Sequence, residues 1–189
     1  MSLFSNENLQ AANKTSNKVK KHKILIVDDE LANIKVMSSI LSISYEVLTA
    51  ENGVDALSII DKMNDPHELS MIISDQRMPK MTGVELFERT IEKLPDVIRI
   101  IVSGYSDMSA VISAINKAHI FHFISKPFER AEFLMAVKQS LKTYDFKKQT
   151  EKEKADLKEQ LTLCKEARQF KEQQLAQAMK LLEDLNLSI

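Results

Sequence analysis

Four short stretches of the chain end in residues that could act together on phosphorus. Asp28 and Asp29 close the apolar run Ile24-Leu25-Ile26-Val27, and Asp75 closes Met71-Ile72-Ile73-Ser74. Ser103-Gly104 ends a third run, Val97 to Ser103, and Lys126-Pro127 follows a fourth, Phe121 to Ser125. Three carboxylates drawn together raise one another's pKa unless a cation neutralises them. A few carboxylate and backbone oxygens, with water completing the shell, is what magnesium accepts. A carboxylate beside such an ion is a competent phosphoryl acceptor, because attack on phosphorus needs charge neutralisation and in-line positioning more than a strong base. Lys126 adds positive charge for the phosphoryl oxygens and Ser103 a hydroxyl donor. The set reads as an aspartyl-phosphate site with Asp75 as the reactive acid.

These residues need elements that deliver them to one place. The runs Ile24–Val27, Tyr45–Ala50, Met71–Asp75, Val97–Ser103 and Phe121–Ser125 are rich in β-branched and apolar residues and predict five buried strands. Between them apolar residues recur at helical spacing: Leu31, Ile34, Met37 and Leu41; Ala56, Leu57, Ile60 and Met63; Leu86, Phe87 and Ile91, closed by Pro95; Met108, Val111, Ile112 and Ile115. Phe133, Val137, Leu141 and Tyr144 open a fifth helix. Strictly alternating strands and helices with short loops predict an α/β doubly wound parallel sheet. In such sheets the site lies at the carboxyl ends of the strands, where Asp28, Asp29, Asp75, Ser103 and Lys126 all fall.

The chain's two ends differ from this middle. Residues 1–22 are polar and basic, and five lysines lie between Lys14 and Lys23, which predicts a disordered leader rather than a nucleic-acid-binding arm. After Tyr144 glycine and proline vanish while Lys, Glu, Gln and Leu dominate, predicting one long helix that continues the fifth. Heptads place Leu157, Cys164, Lys171, Ala178 and Leu185 at d and Leu161, Arg168, Leu175, Leu182 and Ile189 at a; only Arg168 and Lys171 break the seam. An intermolecular coiled coil is expected, with a helix folded back on the domain as the alternative. The seam is still running at Ile189, so an output domain beyond it is expected. A net charge of -1 gives no global pull toward nucleic acid or acidic membrane. No apolar run is long enough to span a bilayer, and a single cysteine, Cys164, excludes an internal disulfide. The expected location is cytoplasmic.

The ordered set Asp28-Asp29, then Asp75 with Met78-Pro79-x-Met81-x-Gly83, then Ser103-Gly104, then Lys126-Pro127 resembles the receiver domain of two-component response regulators. The resemblance covers about residues 22–146 and divides the chain into a leader (1–22), a receiver (23–146) and a helical coiled-coil linker (147–189). It implies a flavodoxin-like (βα)5 sheet of order 2-1-3-4-5, with phosphorylation of Asp75 by a histidine kinase or phosphotransfer protein. It further implies magnesium bound by Asp29, Asp75 and the backbone carbonyl of Arg77, with Asp28 acting mainly through water. By the same resemblance Ser103 is the hydroxyl switch, Lys126 the phosphate-binding lysine and Phe123 the rotating aromatic. Arg77 and Tyr105 line the mouth of the site, and Lys126-Pro127 marks a cis peptide. A homodimer through the C-terminal helix, and through the face of the fourth helix, fifth strand and fifth helix, would pass the signal to an output such as a nucleotide cyclase.

Taken singly, these residues have ordinary readings: an acid at a strand tip is often a helix N-cap, and a lone lysine is a surface charge. Only the ordered set carries the functional reading. Two other functions use the same parts. One is a magnesium-dependent phosphatase or phosphotransferase on a small substrate; the other is a degenerate receiver serving as a dimer scaffold. The leading expectation is a signalling switch rather than an enzyme. DNA binding is not expected, since no helix-turn-helix segment follows the receiver.

Overall fold

The computed structural model of the chain describes residues 22–104 and 117–186. Most of the leader, Tyr105, the expected fourth helix and Ile189 lie outside the described residues. The elements in order are β1 (Lys23–Val27), α1 (Leu31–Leu41), β2 (Glu46–Ala50), α2 (Gly53–Lys62), a 3-10 turn (Pro66–Glu68), β3 (Leu69–Ser74), α3 (Gly83–Thr90), β4 (Ile98–Gly104), β5 (His122–Lys126) and the C-terminal helix (Arg130–Asn186). The strands form one parallel sheet of order β2-β1-β3-β4-β5. This is the expected flavodoxin-like order.

Every residue of β3 is buried, so its apolar stretch Met71-Ile72-Ile73 does not alternate with exposed polar residues, and its serines Ser70 and Ser74 are buried as well. In β1, Leu25 and Val27 join one core cluster with Ile72, Ile101 and the α2 and α3 residues Ile60, Leu86 and Phe87. Strand alternation leaves Ile24 and Ile26 for the opposite face, equally buried. Phe133, Val137 and Leu141, at helical spacing in the first turns of the C-terminal helix, are buried as well. Phe133 stacks on Phe128 at 4.8 Å.

The caps explain where the helices begin. Asn52 Oδ1 accepts from the backbone amides of Val54 and Asp55, starting α2 at Gly53. Thr82 and Glu85 form a reciprocal capping box that starts α3. That helix was expected to run to Pro95 but ends at Thr90. Buried Arg99 accounts for the segment beyond it: its guanidinium donates to the carbonyls of Leu94 (2.8 Å) and Val97 (3.0 Å), so those groups need no further helical turn. Strand ends also shift by a residue or two from expectation, most usefully at β5, where Lys126 is the last residue of the strand rather than the first after it.

By its internal contacts the chain divides into two units, Met1–Leu141 and Lys142–Ile189. In the second, residues 151–181 are helical and exposed throughout this single chain. Among the described residues no helix is long and apolar enough to cross a membrane.

Candidate functional site

β1 and β3 are neighbours, so the residues that follow them, Asp28 and Asp75, emerge side by side at the carboxyl edge. The Asp75 amide donates to the Val27 carbonyl at 2.8 Å, which fixes this juxtaposition through the backbone. Lys126, at the end of β5, reaches across to both acids. Its Nζ donates to Asp28 Oδ2 at 2.8 Å and to Asp75 Oδ1 at 3.0 Å. Asp28 is fully buried and Asp75 only 7% exposed, so little water screens these contacts.

Each carboxylate has a second set of donors. Asp28 Oδ1 accepts from the Glu30 amide (2.9 Å) and from Asn33 Nδ2 (3.0 Å). Asp75 Oδ2 accepts from the Arg77 amide (3.1 Å). Burial pushes the Asp75 carboxyl above its ordinary pKa, although Lys126 and the Arg77 amide pull the other way. Burial also disfavours the Lys126 ammonium, but its two carboxylate partners outweigh that and hold it above its ordinary value.

Asp28, Asp29, Asp75, Arg77, Ser103 and Lys126 line one cavity of about 240 Å³. Ser103 is buried on its wall, one residue before Gly104. Asp29, by contrast, is exposed. Successive residues leaving a strand point to opposite sides, so the Asp-Asp pair divides into an inner and an outer acid. Phe123 is half-buried, packed against the core cluster and paired in register with Ile101; it is not among the cavity residues. Lys126-Pro127 is cis.

The loop after Asp75 is held from both sides. Gly83 and Val84 donate to the backbone and side-chain oxygens of Gln76 (3.2 and 3.1 Å), and Met78 and Met81 are buried. A Cβ on Gly83 would lie 2.3 Å from the Asp75 carbonyl oxygen, so only glycine permits this approach. Glu30 reads from sequence only as a third acid at the tip of the first strand, and Gln76 and Asn33 carry no signal beyond position, one residue after Asp75 and five after Asp28.

Among the described residues no three His, Cys, Asp or Glu side chains converge as a metal cage. Asp28 and Asp75 meet on Lys126, while Asp29, on the same cavity, is exposed. The donor chemistry nonetheless fits a hard dication that takes few protein ligands and keeps its water. The carboxylates are oxygen donors on one cavity, and the two inner ones are desolvated with a single ammonium between them.

A family model for the response regulator receiver domain matches residues 24–138. The hydrogenase transcriptional regulatory protein HoxA of Bradyrhizobium diazoefficiens is 35% identical over 135 residues, 71% of this chain and 27% of that protein. A solved adenylate cyclase chain from Rhodopirellula baltica is 30% identical with a TM-score of 0.64, covering 70% of this chain and 96% of that one. The signal receiver domain of an HD domain-containing protein from Pseudomonas fluorescens is 26% identical with a TM-score of 0.63, covering 69% and 93%. The chain spans about a quarter of the length of the HoxA regulators it matches. With the sheet order, the strand-tip residues and these matches in agreement, the chain belongs to the response regulator receiver domain family.

Proposed function

We propose that Asp75 accepts a phosphoryl group from a sensor histidine kinase or a phosphotransfer protein, and that the C-terminal helix relays the change. The observation that carries this reading is the Lys126 ammonium held between Asp28 and Asp75 at one strand edge. An Asp75 oxygen forms the new O–P bond as the donor's N–P bond breaks. The bonding pair stays on the departing imidazole nitrogen, which takes up a proton. Lys126 then holds a phosphoryl oxygen by charge-assisted hydrogen bonding, and the Ser103 hydroxyl donates to another. Asp28, Asp29, Asp75 and the Arg77 carbonyl are the residues that would hold magnesium, whose charge when bound neutralises the acids and the phosphoryl oxygens.

Inward movement of Ser103 gives Phe123, on the adjacent strand, room to change its packing. The C-terminal helix carries that change into the heptads, where two copies pair and alter register or geometry. HoxA is a transcriptional regulator, and the solved structures named above are an adenylate cyclase and the signal receiver domain of an HD domain-containing protein. These relatives support an output module as the destination of the signal.

The test is acetyl phosphate labelling with magnesium, read by intact mass. Wild type is expected to gain one phosphoryl group and Asp75→Asn none. Equal labelling of the variant, or turnover of a generic phosphomonoester by the wild type, refutes the reading.

A further inference from the structure

We infer that Asn33 is a positioning residue of the acidic site: by filling one oxygen of Asp28, it decides which oxygen that carboxylate offers to a cation. The inference rests on the functional reading above and concerns a residue on α1, outside the strand tips. Asp28 is fully buried, so solvent does not set its orientation. Its Oδ1 takes two donors, the Glu30 amide at 2.9 Å and Asn33 Nδ2 at 3.0 Å, and its Oδ2 alone meets Lys126. Without Asn33, Oδ1 would keep a single donor, the Glu30 amide, opposite Lys126 on Oδ2. A second donor, arriving from the first turn of α1, holds Oδ1 from another direction.

Asn33 is itself held in place. Its backbone amide donates to the Glu30 carbonyl at 3.0 Å, and its Nδ2 also reaches Glu30 Oε2 at 3.2 Å. An asparagine suits this position because a neutral amide donates to a buried acid without adding charge, whereas an aspartate at 33 would set another carboxylate against Asp28. Hydrogen-bond partners of metal-binding carboxylates tune affinity by about 10–100-fold. Asn33 is the one side chain donating to Asp28 Oδ1 among the described residues, Lys126 donating to Oδ2.

The experiment uses the full chain and Asn33→Ala, with Asn33→Ser as a second variant whose hydroxyl is too short to span the gap. Alanine is the best helix former, so α1 is not weakened, and far-UV circular dichroism checks the fold. Magnesium affinity is read by isothermal titration calorimetry. Separately, the rate of acetyl phosphate labelling is followed against magnesium concentration. Both variants are expected to bind magnesium about tenfold more weakly and to approach the wild-type rate at saturating magnesium. Unchanged affinity overturns the inference, as does a lower saturating rate at unchanged affinity. A wild type that neither binds magnesium nor labels at Asp75 overturns the functional reading and the inference with it.

Discussion

Replacing Lys126 with methionine keeps most of the side chain's volume and removes its charge, leaving Asp28 and Asp75 facing each other without the ammonium. The Asp28 side chain is 0% exposed and that of Asp75 10%, against 24% for Lys126. Breaking a buried ion pair from one side costs about 3–5 kcal/mol, because the remaining charge is uncompensated. Here the lysine is partly solvated, and its own burial is relieved on substitution, so the low end applies: about 3 kcal/mol near neutral pH. At a urea m-value of about 2 kcal/mol/M, that lowers the unfolding midpoint by about 1.5 M. The assay is urea unfolding followed by circular dichroism, since the chain has no tryptophan, in buffer free of divalent cations.

The deficit also has a sign in pH. Asp75 already sits above its ordinary pKa in the fold, so the folded state binds more protons than the unfolded one in the window above 3.8. Without Lys126 a pull-down on that pKa is lost, and the window widens upward. The variant therefore recovers stability relative to wild type as pH falls from neutral toward the ordinary carboxylate range, and again when magnesium is added at neutral pH. Equal midpoints at neutral pH, or a deficit that does not shrink on acidification, refute the idea that Lys126 is the counter-charge of these two acids.

Gly83→Ala should lower stability by about 1–3 kcal/mol, since the new Cβ meets the Asp75 carbonyl and also Ile101 Cδ1 at 2.8 Å; an unshifted thermal midpoint would show that the loop yields freely. Arg99→Lys keeps the charge but not the fork that serves the Leu94 and Val97 carbonyls, orphaning a buried acceptor at a cost of about 1–3 kcal/mol. Burial has already drawn the Arg99 pKa down to about 10, so an unchanged urea midpoint would mean that those bonds add nothing beyond offsetting desolvation. Leu161→Asp with Leu175→Asp, both at expected a positions and exposed in the single chain, should turn a dimer into a monomer by sedimentation. A monomeric wild type, or a variant that stays dimeric, would refute the seam.

The sheet was legible because a strand buried on both faces is rich in apolar and β-branched residues, as in Met71-Ile72-Ile73, and a loop residue closes each run. Strand ends were less so, because whether Lys126 ends β5 or follows it depends on its pairing with Gly104 in β4, a contact made across the sheet. Arg99 shows a further limit. It lies inside a run predicted as a buried strand, and nothing local signals its partners: it is 1% exposed, held by carbonyls at the end of the α3 segment that only the fold brings near. Within the site, residue types gave the chemistry, while a division of labour between Asp28 and Asp29 came only from the family resemblance. Adjacent identical residues carry no label for which faces inward, and one is fully buried while the other is exposed.

That asymmetry bears on what the site must do. Three acids and one ammonium leave it with an excess of two negative charges, and converting a carboxylate to an acyl phosphate adds another. A cavity whose inner carboxylates are shielded from water tolerates such an excess poorly. The inner acids already share the one lysine, so a phosphoryl group that takes the third donor of Lys126 spreads the same single positive charge over more anionic oxygens. A dication bound by Asp28, Asp29 and Asp75, as proposed above, would offset that excess. The proposal therefore expects phosphorylation to depend on a divalent cation, through the same electrostatics that would destabilise a chain lacking Lys126.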